Sequence, residues 1–185
     1  MMISRFLRVG TAILALSLAS LYGHVKADDG LLECLTETNN LLLGNIELFV
    51  AEYNLNVYWA SLCASETSAC MMTNTVLGDG SSLKEVTMDY TSIFLDDVYL
   101  AYKDACRNAG GNLCYASLNG QASGYFNDNS FEMAFDVKGY TVCFSPICND
   151  ADVVALFETL AENEVTSTLR SVDETNFQVT ETTCD

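Results

Sequence analysis

The chain predicts an α+β fold: a disulfide-stapled single domain with about three helices and a small antiparallel sheet of roughly three to four strands. Three observations carry that reading. Apolar residues recur at helical spacing in three segments, they alternate with polar residues between the second and third, and eight cysteines run from end to end.

The amino terminus reads as an export signal. Arg5 and Arg8 precede an apolar run over residues 11–21, and Val25 and Ala27 put small residues at the −3 and −1 positions of a cut. The pattern predicts a cleavable signal peptide over residues 1–27 and one acidic, disulfide-rich domain over 28–185. The run is too short to span a bilayer, which takes ~20 apolar residues. Later, residues 41–50 are apolar but interrupted by Gly44, Asn45 and Glu47. The expected product is secreted and extracellular, with no membrane insertion after cleavage. Residues 28–185 fit one domain, since single domains commonly run ~100–200 residues.

The first helix is expected in the amino-terminal third, where Leu42, Ile46, Phe49, Val50, Tyr53 and Val57 keep helical spacing. Residues 53–59 alternate instead, and the longer helical pattern is preferred. The second helix carries Tyr90, Phe94, Val98, Ala101, Tyr102 and Ala105 on one side. Asp89, Ser92, Asp96, Lys103 and Arg107 fill the other, and Gly110-Gly111 stops it. The third follows Pro146, with Asn149 as N-cap and Asp150 and Asp152 in the first turn. Its stripe is Val153, Leu156, Phe157, Leu160 and Ala161. Both of these later stripes read as core.

Between them the period drops to two. Phe131, Met133, Phe135 and Val137 alternate with Glu132, Ala134, Asp136 and Lys138, and Tyr140, Val142 and Phe144 continue after Gly139. Upstream, Gly124-Tyr125-Phe126 is set off by the turn cluster Asn127-Asp128-Asn129-Ser130. A three-strand antiparallel meander follows. Phe177 and Val179 add an edge strand held by Cys184. Gly78-Asp79-Gly80 reads as a turn, because a phosphate loop would need a following lysine.

Cys34, Cys63, Cys70, Cys106, Cys114, Cys143, Cys148 and Cys184 form an even set, expected as four disulfides in an oxidising compartment. Their connectivity stays open among on the order of a hundred pairings. Zinc is the rival reading. Only Cys143 and Cys148 have a ligand-like spacing, and the chain's one histidine, His24, falls in the signal.

Composition closes off function classes. The exported part keeps Lys84, Lys103, Arg107, Lys138 and Arg170 against all 25 carboxylates, a formal charge of −20. Such a surface repels phosphate backbones, so nucleic acid is not an expected partner. Without histidine or a free cysteine there is no triad and no Cys-His pair. Carboxylate chemistry survives. A glycosidase needs two carboxyl groups roughly 5–5.5 Å or 6.5–9.5 Å apart. Glu132 and Asp136 share one strand face but lie ~13 Å apart at strand rise. Calcium donors at Asn127, Asp128, Asn129 and Glu132, or at Asp96-Asp97, lack the twelve-residue loop pattern. No catalytic, cofactor or metal residue is assigned, no cofactor is expected, and no Asn-x-Ser/Thr sequon follows the signal.

The leading expectation is a secreted non-catalytic domain acting by extracellular surface recognition or as a structural component. Its partner would be an extracellular protein or glycan. The aromatic supply of eight Phe, eight Tyr and one Trp after residue 27 supports one alternative, a carrier of a small apolar ligand such as a lipid or sterol. A carboxylate-based glycan hydrolase is the other. An internal cavity would favour the carrier, and a cleft holding two carboxylates the hydrolase.

Overall fold

Asn45 divides the expected first helix in two. Its backbone is extended, and its side chain accepts a hydrogen bond from the Leu48 amide at 3.1 Å, which satisfies one of the free donors of a new helix start. Helix α1 therefore spans Asp29–Gly44 and α2 spans Ile46–Ala64. The computed structural model describes residues 29–65, 69–76, 82–126, 129–169 and 172–185. The expected signal peptide, the Gly78-Asp79-Gly80 turn and Asn127-Asp128 lie outside them.

After α2 come strands β1 (Cys70–Val76) and β2 (Ser82–Asp89), a 3-10 turn over Tyr90–Ile93, and helix α3 (Asp97–Asn108). Strands β3 (Asn112–Phe126) and β4 (Asn129–Phe144), helix α4 (Asp150–Thr168) and strand β5 (Val172–Cys184) complete the order. The class is α+β, with four α-helices and a five-stranded sheet ordered β1-β2-β4-β3-β5. This corrects the expected counts.

The sheet is mixed rather than antiparallel, because β2 runs parallel to β4 while every other pair is antiparallel. The β1–β2 hairpin carried no readable alternation. Strand β1 is an edge strand with Met71, Thr73, Asn74 and Thr75 all exposed, so burial imposes little pattern on it.

The two strands expected either side of Gly139 are one. Gly139 adopts φ 68 within β4, and the β3–β4 register shifts between Ala116 and Leu118. One additional residue on β4 makes a bulge of the glycine type, which bends the strand without ending it. A side chain there would collide with Thr91 and Phe94, at 2.8 and 2.9 Å from a Cβ. The 3-10 turn thus packs directly on the β4 backbone.

The expected second helix is also divided. Asp89 caps the 3-10 turn through Oδ1, which accepts from the Thr91 amide at 3.1 Å. The chain turns at Phe94–Asp96 before α3 begins, and Gly110 at φ 81 follows its end. Helix α4 matches its expectation. Asn149 accepts from the Asp152 amide at 3.1 Å, and the Asp152 carboxylate accepts from the Asn149 amide, completing a capping box.

Helix α4 covers the side of the sheet on which Leu118, Ala122, Met133, Phe135, Val137 and Phe177 are buried, meeting Tyr140 and Phe144 through Phe157, whereas α3 is tied to β4 at Cys143, whose side chain alternates with those two. Asn119, Gln121, Glu132, Asn176 and Gln178 lie exposed on the other side. Four disulfides tie the layers: Cys34–Cys148, Cys63–Cys70, Cys106–Cys143 and Cys114–Cys184. They link α1 to the loop before α4, α2 to β1, α3 to β4, and β3 to β5.

Candidate functional site

Helix α2 is apolar on both sides, which is not the pattern of an ordinary surface helix. Its inward stripe is Leu48, Leu55, Trp59 and Cys63, all buried. Its outward stripe is Ile46, Phe49, Val50, Tyr53 and Val57, with Ile46 72% and Val50 47% exposed. The residues whose spacing announced the helix are the ones that face solvent.

Ile46 and Val50 of that stripe, with Glu47, Ala51 and Asn54, form one wall of a groove of about 510 Å³ between α2 and α3. Val50 and Ala51 face Val98 and Ala101 across it, and Glu47 and Asp97 stand at its rim. Leu95, 90% exposed in the turn before α3, and Leu100 on α3 add further exposed apolar surface.

The inward stripe has an intruder. Glu52 falls in phase with Leu48 and Leu55, so it points at the core rather than at water. The residue is half-buried, and burial lifts its pKa from 4.5 to about 7. It lines a small enclosed cavity of about 20 Å³ together with Leu55, Asn56, Trp59, Tyr90, Ile93, Phe94, Tyr99, Tyr102, Tyr140 and Thr141.

The rings around that cavity form a connected set. Trp59 stacks on Tyr90, Tyr90 meets Tyr140 edge-on at 5.6 Å, and Tyr140 meets Phe157 of α4 at 5.9 Å. Phe94 stacks on Tyr99 at 4.5 Å. The Tyr102 hydroxyl accepts from the Cys143 amide at 2.9 Å, fixing α3 against β4. A second carboxylate arrives from α4. Burial raises the pKa of Glu164, and a hydrogen bond donated by the Tyr140 hydroxyl offsets part of that rise. Burial also raises the pKa of Tyr90, Tyr102 and Tyr140, and both glutamates push that of Tyr140 higher. Tyr140 is therefore the shared neighbour of Glu52 and Glu164.

The residues singled out in the sequence are placed elsewhere. Glu132 and Asp136 lie on the outer side of β4, in register with Ser123 and Asn119. Asp96 accepts a hydrogen bond from the Tyr58 hydroxyl at 2.8 Å, and Asp97 opens α3. All eight cysteines are in the four bridges. Among the described residues no group of three or more His, Cys, Asp or Glu side chains is arranged to hold a metal ion, and no helix is long and apolar enough to cross a membrane. Glu52 and Glu164 went unremarked in the sequence, while Tyr90 and Tyr140 were read only as apolar positions of a helix and a strand. The available signal was the phase of Trp59 and Cys63, since a bridged cysteine and a tryptophan four residues apart mark an inward face on which Glu52 also falls.

No family model matches this chain, and no curated protein or solved structure matches it.

Proposed function

We propose that this is an exported recognition domain that docks a partner protein through the α2–α3 face. The observation that carries the reading is the outward stripe of α2, which presents Ile46, Phe49, Val50, Tyr53 and Val57 to solvent on a chain of net charge −17. A strongly charged protein keeps such a stripe exposed at a cost in solubility, which a docking role offsets. Export rests on residues 1–27 acting as a cleavable signal, and four disulfides fit an oxidising destination.

A second reading, carriage of a small apolar ligand, is favoured by the groove volume of about 510 Å³. That lies within the ~300–1,000 Å³ of ligand pockets. The groove is open along its length, however, and carriers normally enclose most of their ligand. Glycan hydrolysis has less support, because the buried carboxylates border a cavity of about 20 Å³, with room for about one water.

The test uses a photoreactive amino acid at Val50 and native mass spectrometry of the same secreted protein. A discrete protein cross-link that disappears in Val57→Asp is expected. A stoichiometric lipid adduct with no protein cross-link would replace docking with carriage. The intact mass also reports cleavage after Ala27.

A further inference from the structure

The two edges of the sheet are built differently. Strand β5 forms one edge, and α4 closes it. Glu158 Oε1 accepts from the Val179 amide at 3.0 Å, and Glu162, one helical turn on, accepts from the Phe177 amide. Phe177 and Val179 are alternate residues, opposite Gly120 and Leu118 of β3, so α4 takes up successive outward-facing N–H groups. Asp173, Glu174 and Glu181 add charge to the same strand. Strand β1 forms the other edge. Its seven residues, Cys70–Val76, include no charge and no proline, the features that normally keep an edge from pairing. Met71, Thr73, Asn74 and Thr75 are all exposed. The Asp89 amide donates to the Ala69 carbonyl at 2.7 Å, one step before the Cys70↔Met88 pair. That bond sets the phase of the ladder: residues 69, 71, 73 and 75 bond to β2, and Met72 and Asn74 turn their backbone groups outwards.

We infer that β1 is a pairing edge for a second copy of this chain, joined antiparallel across a two-fold axis at Thr73. At this register Met72 of each copy lies opposite Asn74 of the other, and their outward N–H and C=O groups bond to each other. A second copy supplies a strand of the same length and the same lack of charge, and the two-fold pairing leaves neither residue unmatched. Charge permits the match although each chain carries a net −17. The seam itself is uncharged, and the carboxylate in the row through Thr73 is Glu85 of β2, which accepts from the Thr73 hydroxyl at 3.2 Å. The two copies of Glu85 stand three strand spacings apart, about 14 Å. That exceeds the ~8 Å screening length at physiological salt. The seam is short, so the dimer belongs with weak, concentration-dependent assemblies.

Sedimentation velocity of the disulfide-bonded protein, from micromolar to near-millimolar concentration and at low and high sodium chloride, tests this. A monomer–dimer equilibrium that shifts towards dimer as salt rises is expected, since screening weakens the repulsion between two acidic bodies and leaves the uncharged seam alone. Asn74→Pro keeps the β1–β2 bonds, because the amide it removes faces outwards. It should weaken dimerisation by at least about thirtyfold, since symmetry removes the bond twice. The Met72 and Asn74 amides should exchange more slowly in the dimer than in the monomer, as read by NMR. Val50→Asp should dimerise like the parent, which separates this seam from the α2–α3 docking face. The inference is overturned by a parent that stays monomeric, by a dimer that Asn74→Pro leaves intact, or by one that Val50→Asp abolishes. Should Asn74→Pro not fold, Thr73→Lys, which sets two ammonium groups opposite one another at the axis, takes its place, and an unchanged dimer overturns the inference. Slow exchange of the Met72 and Asn74 amides only when a different protein is added overturns the second copy in favour of a strand from that protein.

Discussion

Trp59 of α2 lies flat on Tyr90 of the 3-10 turn, with ring centroids 3.9 Å apart and planes 20° apart. This pair holds α2 to the segment that packs on Gly139, and through Tyr140 and Phe157 the ring contacts reach α4. Trp59→Ala should therefore cost about 3–5 kcal/mol, the usual loss for a large buried aromatic. Trp59→Phe keeps a stacking partner for Tyr90 and should cost less than half of that. Chemical denaturation of the two variants checks the order, and near-equal losses would mean that the stack contributes little beyond filling space.

Glu52 makes stability depend on pH in an unusual direction. Its folded-state pKa of about 7 stands above the ordinary 4.5, so the folded chain binds the proton more tightly than the unfolded one. The associated stability is fully present below pH 4.5 and is lost as pH rises towards about 7. The loss amounts to up to about 3 kcal/mol. Glu164, also raised by burial, acts with the same sign. Glu52→Gln should flatten much of this slope and be more stable than the parent at pH 8. Urea midpoints across pH 4–8 supply the measurement, and a parent protein that gains stability over that range would contradict the assignment.

The same helix shows what the sequence carried and what it did not. Periodicity located α2 because Ile46, Phe49, Val50, Tyr53 and Val57 repeat every three to four residues. It could not say which way they faced, since Leu48, Leu55 and Trp59 repeat in the same way on the opposite side. Capping chemistry is local, so Asn149 and its acidic first turn were readable before any tertiary contact was known. The division at Asn45 had the same kind of signal in its side chain. Parallel pairing of β2 with β4 depends on contacts between distant segments and leaves no local trace, whereas Gly139 within the alternating run was a local sign of a bulge that the reading passed over. The cavity was hidden because Glu52, Tyr90, Tyr102 and Tyr140 come to it from four separate elements.

The two sides of α2 should respond oppositely to charge. Val50→Asp changes an exposed side chain and should shift stability by no more than about 0.5 kcal/mol. Leu48→Asp puts an unpaired carboxylate at a fully buried position and should leave the domain largely unfolded. If docking uses the outward stripe, Val50→Asp also abolishes it in a protein that is otherwise folded. Thermal denaturation with far-ultraviolet circular dichroism separates the two cases. A strongly destabilised Val50→Asp would show that the stripe belongs to the core of an assembly.

The four bridges should not be equivalent. In the chain-entropy account a cross-link stabilises more as the loop it closes lengthens. Cys34–Cys148 spans 114 residues and Cys63–Cys70 only 7. Replacing the first pair by alanine should therefore cost about 5 kcal/mol and the second about 2 kcal/mol. Position reinforces the difference. Cys34 and its neighbour Leu35 are buried on the face of α1 that meets α4 and β4, whereas Cys70 starts the exposed edge strand β1. Loss of Cys34–Cys148 should loosen α1 from the sheet, while loss of Cys63–Cys70 should free only the hairpin edge. Hydrogen exchange on the two double variants distinguishes these outcomes. Equal destabilisation, or fast exchange confined to β1 in both, would count against loop length and in favour of local packing as the source of the stabilisation.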